Sequence, residues 1–288
     1  MNNADGTTHP SQLKSDILRS LVKLPAMPQI ILKARETMTN PNAGLRDLAR
    51  VIENDQALVA KVLALANSAY YGIGGQVSSI QHASVLLGFD TLGTLITMSA
   101  AALLLNRELK GYQLAPQAVW RHSLGSGLAA RAIAERRFPG TEAEAFIVGL
   151  LHDAGKIILD PFVCSRRDDP AVVFPAHGPL TETHEIELLG VDHAEIMAMA
   201  CRFWRFPETQ VRGIRFHHHP GRSSQSALAH VAHLGHVLAQ RAGFGCAANE
   251  VPVLEEGVLE FLALQPAEAD ELQDRMRQEL ERLEEALR

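Results

Sequence analysis

In the stretch FIVGLLHDAGKIILDPF (146–162), His152 and Asp153 interrupt a run that is otherwise almost wholly apolar. A carboxylate buried in such surroundings without a partner is strongly destabilising, so Asp153 requires a cation beside it. The chain carries 13 histidines, and nine of them lie between residues 177 and 236. His122, His152, Asp153, His193, His217, His218 and His236 each fall on or at the end of a segment with helical periodicity. Helices packed round one core can bring all seven together. Imidazole nitrogens and a carboxylate suit Fe, Mn, Zn or Ni, and a divalent cation would compensate Asp153. One metal can take several of these residues, and two neighbouring metals can share Asp153 as a bridge. A histidine-rich core without metal has the same spacing, because a histidine on an apolar helix face is often a satisfied core residue. Spacing alone leaves the two readings open.

The elements that must position these residues read as helices nearly throughout, with no alternating run long enough for a half-buried strand. Leu45, Leu48, Val51 and Ile52 form one helical stripe. Asn54 and Asp55 break it and cap a second helix carrying Leu58, Val62 and Leu65. Ser79 caps a helix that Gly88 ends. A long helix follows with Leu92, Leu95, Ile96, Ala102 and Leu103 at helical spacing. Pro116 opens the next, which places Val119, His122, Ser126, Ala130 and Ile133 on one face. The stretch 146–162 reads as one helix, apolar all round and therefore buried. Residues 160–183, rich in Pro, Asp and Arg, read as a loop. Asp192 with Glu195 makes a capping box for a helix through Trp204. A further helix runs from about Ser226 to Arg241. The tail helix has leucine or methionine at 272, 276, 280, 283 and 287, a stripe that packs on the body or meets a partner. Trp120 and Trp204 are expected in the core. Tyr70 and Tyr71 are expected to pack between lobes beside a turn made by Gly72, Gly74 and Gly75.

Composition excludes several classes. The 288 residues are 47% hydrophobic, enough for a full core. Lys and Arg number 27 against 33 Asp and Glu, a net charge of −6 with no long basic run. That argues against duplex nucleic acid as a partner, because a basic surface supplies most of that affinity. Cys164, Cys201 and Cys246 are odd in number and widely spaced, as reduced core cysteines are. The first fifteen residues lack a signal peptide's apolar stretch, and the longest apolar run, Leu92 to Leu105, is too short to span a bilayer. A cytoplasmic protein without membrane contact is expected.

Longer motifs carry a resemblance. LPAMPQI (24–30), NDQALVAKVLALANSAYYG (54–72), SIQHASVLLG (79–88), VWRHS (119–123), AFIVGLLHDAGKIIL (145–159), GVDHAEI (190–196), FWRFPE and IRFHHHP (203–220) resemble the HDOD family. That family is a relative of the HD metal-dependent phosphohydrolases associated with bacterial signalling. The resemblance covers roughly residues 21–240 and implies an all-α, two-lobed helical fold. Residues 1–20 would be a tail, 21–115 an N-terminal helical lobe, 116–240 an HD-like lobe and 241–288 a C-terminal helical extension. In catalytic HD enzymes a first histidine, the HD pair and a later aspartate hold the metal. His122, His152 and Asp153 match the first three, while His236 stands where the aspartate is expected. HHHPGRSS (217–224) stands where the cyclic-dinucleotide phosphodiesterase relatives carry a GYP segment. Lys156 matches a lysine that in those relatives can reach a substrate phosphate. A plain alternative is that it caps the C-terminus of its helix.

Three functions follow. The preferred one is a non-catalytic or degenerate signalling module that relays an input by binding a signalling protein or a nucleotide, with the metal site retained. The second is a metal-dependent phosphohydrolase acting on a nucleotide or cyclic dinucleotide. The third is a metal or redox sensor. The 48 residues after 240 hold no room for a receiver, kinase or DNA-binding domain, so the input is expected from another polypeptide or a small ligand.

Overall fold

A computed structural model describes residues 10–21, 29–53, 55–68, 76–167, 169, 172–174, 180–245 and 252–286. The fold is all-α and two-lobed, with no strand among the described residues and one isolated bridge between Leu109 and Leu114. Helix α1 spans Pro10–Leu21. The first lobe contains α2 (Gln29–Thr39), α3 (Leu45–Ile52), α4 (Gln56–Ala66), α5 (Ile80–Leu87) and α6 (Phe89–Leu105). The second contains α7 (Ala118–Arg137), α8 (Glu142–Leu151), α9 (Gly155–Arg167), α10 (Glu182–Leu189), α11 (His193–Phe203) and α12 (Glu208–Arg215). It continues through α13 (Ala227–Ala239), α14 (Val258–Phe261) and α15 (Pro266–Ala286). One extended apolar core runs through both lobes. No described helix is long and apolar enough to cross a membrane.

Local sequence sets several ends as expected. Asp55, Ser79, Asp192 and Ser226 each cap a helix by accepting from a backbone N–H three residues on. Gly88 ends α5 with φ of 79°. Asn67 closes α4, and its side-chain amide bonds Val77 in both directions at 2.7 and 2.8 Å. The turn at 69–75, with Tyr70 and Tyr71, lies outside the described residues, as does Cys246. Leu272, Met276, Leu280 and Leu283 are buried, so the stripe of α15 packs on the chain's own body, against α7 and α13.

Three expectations change. The stretch 146–162 is two helices, broken at His152, Asp153 and Ala154. The break turns both side chains inward, where a continuous helix would spread them round its axis. Residues up to Arg167 continue α9 despite Pro161 and were expected as loop. Burial of Ile158, Leu159 and Val163 outweighs the cost of about 3 kcal/mol that an interior proline brings. Within the expected tail, α1 buries Leu13, Ile17 and Leu21 and packs on α9 and α10. Their i, i+4, i+8 spacing is the signal for it.

Close approach of three helices makes the centre of the second lobe. Gly149 of α8 and Gly235 of α13 both press on the Ser126 carbonyl of α7, and a Cβ on either would sit 2.7 Å from that oxygen. His122, His152 and His236 each stand within one turn of these contacts. Gly149→Ala is therefore expected to lower stability by about 1–3 kcal/mol through overpacking. Chemical denaturation of the variant against the parent measures it; an unchanged midpoint would contradict the packing.

Candidate metal centre

The histidines of the centre arrive from five places in the second lobe. His122 is one turn into α7, His152 and Asp153 form the α8–α9 break, and His193 opens α11. His217 and His218 follow α12, and His236 lies in the last turn of α13. Gly155 allows the start of α9 to press directly on the His193 carbonyl, where no Cβ fits. All seven residues expected as ligands converge. His122, His152, Asp153, His193 and His217 are at most 1% exposed, and His236 is 5% exposed. His218 is half-buried on the cavity side.

The ring nitrogens are pre-oriented. His122 Nδ1 donates to the Phe244 carbonyl at 3.0 Å, His152 Nδ1 to that of Gly149 at 2.6 Å, and His217 Nδ1 to that of Ile214 at 2.8 Å. His193 Nδ1 donates to Glu185 Oε2 at 2.7 Å. Each of these bonds leaves Nε2 aimed inward. His122 Nε2, His152 Nε2 and His236 Nδ1 lie 2.9–3.2 Å from one another. His193 Nε2 lies 3.0 Å from His218 Nε2. His217 Nε2 has no hydrogen-bond partner among the described residues. Lone pairs brought this close repel unless a proton or a cation lies between them. Outward N–H groups tied to carbonyls or carboxylates are how metal-ligating histidines are held. The donor atoms fall into two sets, His122, His152, Asp153 and His236, and Asp153, His193, His217 and His218. Within each set they lie within 4.8 Å of one another. Asp153 belongs to both. The buried cluster thus has the donors and the spacing to hold metal.

Asp153 also has protein cations. Lys156 Nζ lies 2.7 Å from its Oδ2 and His193 Nε2 3.1 Å from its Oδ1. Burial pushes the carboxyl pKa up, but the charges of Lys156 and His152 and the His193 bond hold it well below the usual range. Lys156 sits in the first turn of α9, so it does not cap a helix C-terminus. Burial lowers His122 from 6.5 to about 4 and His152 to about 3, and it holds His217 and His236 well below 6.5. Burial also acts to lower His193, yet Glu185 and the bond to Asp153 raise it to about 9. At neutral pH five neutral imidazoles therefore surround one histidinium. Such a set could hold a metal cation once His193 gives up its proton.

A cavity of about 630 Å³ adjoins the cluster, lined in part by Lys156, His193, His218, His236, Gln240 and Val253. At its rim His219 bonds Glu182 and, at 3.3 Å, Glu255. A larger cleft of about 900 Å³, lined by Asp90, Arg131 and Gln210 among others, includes no residue of the cluster. Sequence reasoning missed Glu185, Glu182, Glu255 and His219 as members of the site's surroundings. Glu185 lies eight residues from His193 across a helix boundary, and no local pattern couples them.

The shifts fix how the metal-free protein responds to pH. Neutral, buried His122 and His152 bind protons less readily than in the unfolded chain, so stability falls as pH drops below 6.5 toward about 4 and about 3. His193 acts oppositely: its stabilisation is complete below 6.5 and is lost as pH rises through about 9. Thermal unfolding with a chelator present is expected to peak near pH 6.5. A melting temperature that rises steadily to pH 9 would contradict this.

Comparison with known proteins places the chain in a family. The model of the HDOD domain matches residues 24–220. A Treponema pallidum (strain Nichols) protein of uncharacterised role is 27% identical over 219 residues, which are 75% of this chain and 42% of that one. The chain thus spans under half the length of that curated relative. Among solved structures, a Geobacter sulfurreducens HDOD domain protein superposes with a TM-score of 0.72 at 24% identity, covering 94% of this chain and 97% of that one. A candidate phosphohydrolase from Shewanella amazonensis SB2B gives 0.69 at 24% identity, with 94% and 98% covered. A candidate signal transduction protein from Marinobacter aquaeolei VT8 gives 0.71 at 22% identity, with 99% and 67% covered. At these identities the structures establish the fold. The family match spans well over half of the chain, and the chain belongs to the HDOD family.

Proposed function

We propose that the chain is a signal-transduction module of bacterial type whose cluster binds two divalent transition-metal ions beside a pocket for a phosphate-bearing ligand such as a nucleotide. The observation that carries this reading is the pair of pre-oriented donor sets sharing Asp153, next to a cavity with Lys156 at its wall. His122, His152, Asp153 and His236 would hold one ion, and Asp153, His193, His217 and His218 the other. When bound, such ions supply Lewis-acid stabilisation of charge on a phosphoryl oxygen. Lys156 offers a flexible point charge that can turn from Asp153 to an incoming phosphate. Asp153 is the one carboxylate among the seven donors, so two dications would leave the centre strongly positive. With His236 in place of an aspartate the charge is one unit higher still. A centre of that charge favours retention of an anion over release of a product, which suits a module that reports occupancy.

Hydrolysis of a phosphoester is the second reading. Its support is the cavity's contact with the cluster and with Lys156, and the Shewanella neighbour carries the same reading in its name. Elemental analysis after expression with added iron, manganese and zinc is expected to find about two ions per chain. His236→Ala should lower occupancy toward one while helical circular dichroism is kept. A packing residue alone would instead lower stability through a cavity and leave occupancy unchanged. With a generic phosphodiester the parent is expected to show no turnover and His236→Asp to gain it. Turnover by the parent would establish the hydrolase instead.

A further inference from the structure

The connection between the lobes carries a buried hydroxyl that leads directly to the cluster. Leu109 and Leu114 exchange two backbone hydrogen bonds of 3.0 Å and close a tight turn. The turn is clamped on α9: the Gly111 N–H donates to Asp160 Oδ1 at 2.8 Å, and its carbonyl accepts from Arg167. Tyr112, 6% exposed, is thereby aimed at α10, where its hydroxyl donates to Glu185 Oε1 at 2.8 Å. The other oxygen of Glu185 accepts from both the backbone N–H and the Nδ1–H of His193, each at 2.7 Å. Glu185 is fully buried, and these three bonds anchor it in the core. His193 Nε2 then faces Asp153 and His218. The chain of bonds runs from the inter-lobe turn to His193 and so enters the cluster through the donor set of Asp153, His193, His217 and His218.

We propose that Tyr112 is a positioning residue: through Glu185 it orients His193, and so couples the connection between the lobes to the metal affinity of the half-site made by Asp153, His193, His217 and His218. Resting on the metal-binding role proposed above, this assigns the inter-lobe turn a route by which a change in the first lobe alters the centre. A phenol that tilts away frees Glu185 to rotate, and the imidazole it holds turns with it. Carboxylates and hydroxyls behind a ligating histidine tune metal affinity by this means.

The test is zinc binding to chelator-stripped protein, measured by competition with a chromogenic chelator. The parent is expected to bind two zinc ions. Tyr112→Phe should weaken one of them by about fivefold, the worth of one net hydrogen bond. Glu185→Gln should weaken the same ion by about 10- to 100-fold, with the other ion nearly unaffected and helical content kept. If Glu185→Gln fails to fold, Tyr112→Phe decides alone. In the metal-free protein the ring ¹⁵N resonances of His193 should move in Tyr112→Phe. Variants that melt lower yet bind both ions like the parent, with His193 unmoved, would overturn the relay while leaving the metal reading intact. A parent that binds no zinc would overturn both.

Discussion

A single carboxylate with no access to solvent constrains this protein. Asp153 sits where α8 breaks into α9, and its charge must be balanced within the core. Lys156 and a protonated His193 supply that balance in the metal-free chain. Metal ions would supply it otherwise, displacing the His193 proton and releasing Lys156. Other features of the second lobe bring the histidines round this carboxylate. Gly149 and Gly235 let three helices meet closely enough for their histidines to touch. Backbone carbonyls hold the outward nitrogens so that the inward ones are free.

Two segments from before the second lobe reach the surroundings of the centre. The inter-lobe turn delivers Tyr112 to Glu185, and α1 lies across α9 and α10, with Lys14 paired to Glu195 of α11 at 3.2 Å. Both routes end on elements that carry or support a histidine of the cluster. A signalling role needs such a link, since an occupied centre must alter a surface elsewhere. Thr181 and Val253 both line the cavity beside the cluster, so segments far apart in the second lobe border it.

Much of this was legible in the sequence. Helical periodicity and cap residues gave most elements, because Asp55, Ser79, Asp192 and Ser226 act locally. The seven converging residues were legible from residue type, from their places on helices and from the family resemblance. What escaped depends on contacts distant in sequence. The break at 152–154 reflects packing of α9 on α11, not a Pro or a cap. Helix α9 runs through Pro161 because its buried face outweighs the local penalty. Glu185 and Tyr112 are 73 residues apart, and nothing near either announces the other.

Asp153 lying between two metal ions is the central claim. Crystals of the protein grown with zinc, measured at the zinc absorption edge, address this directly. Two anomalous peaks are expected on either side of Asp153, one beside His122, His152 and His236 and the other beside His193, His217 and His218. Absence of any peak at Asp153, with Lys156 and His193 still paired to it, would contradict the account.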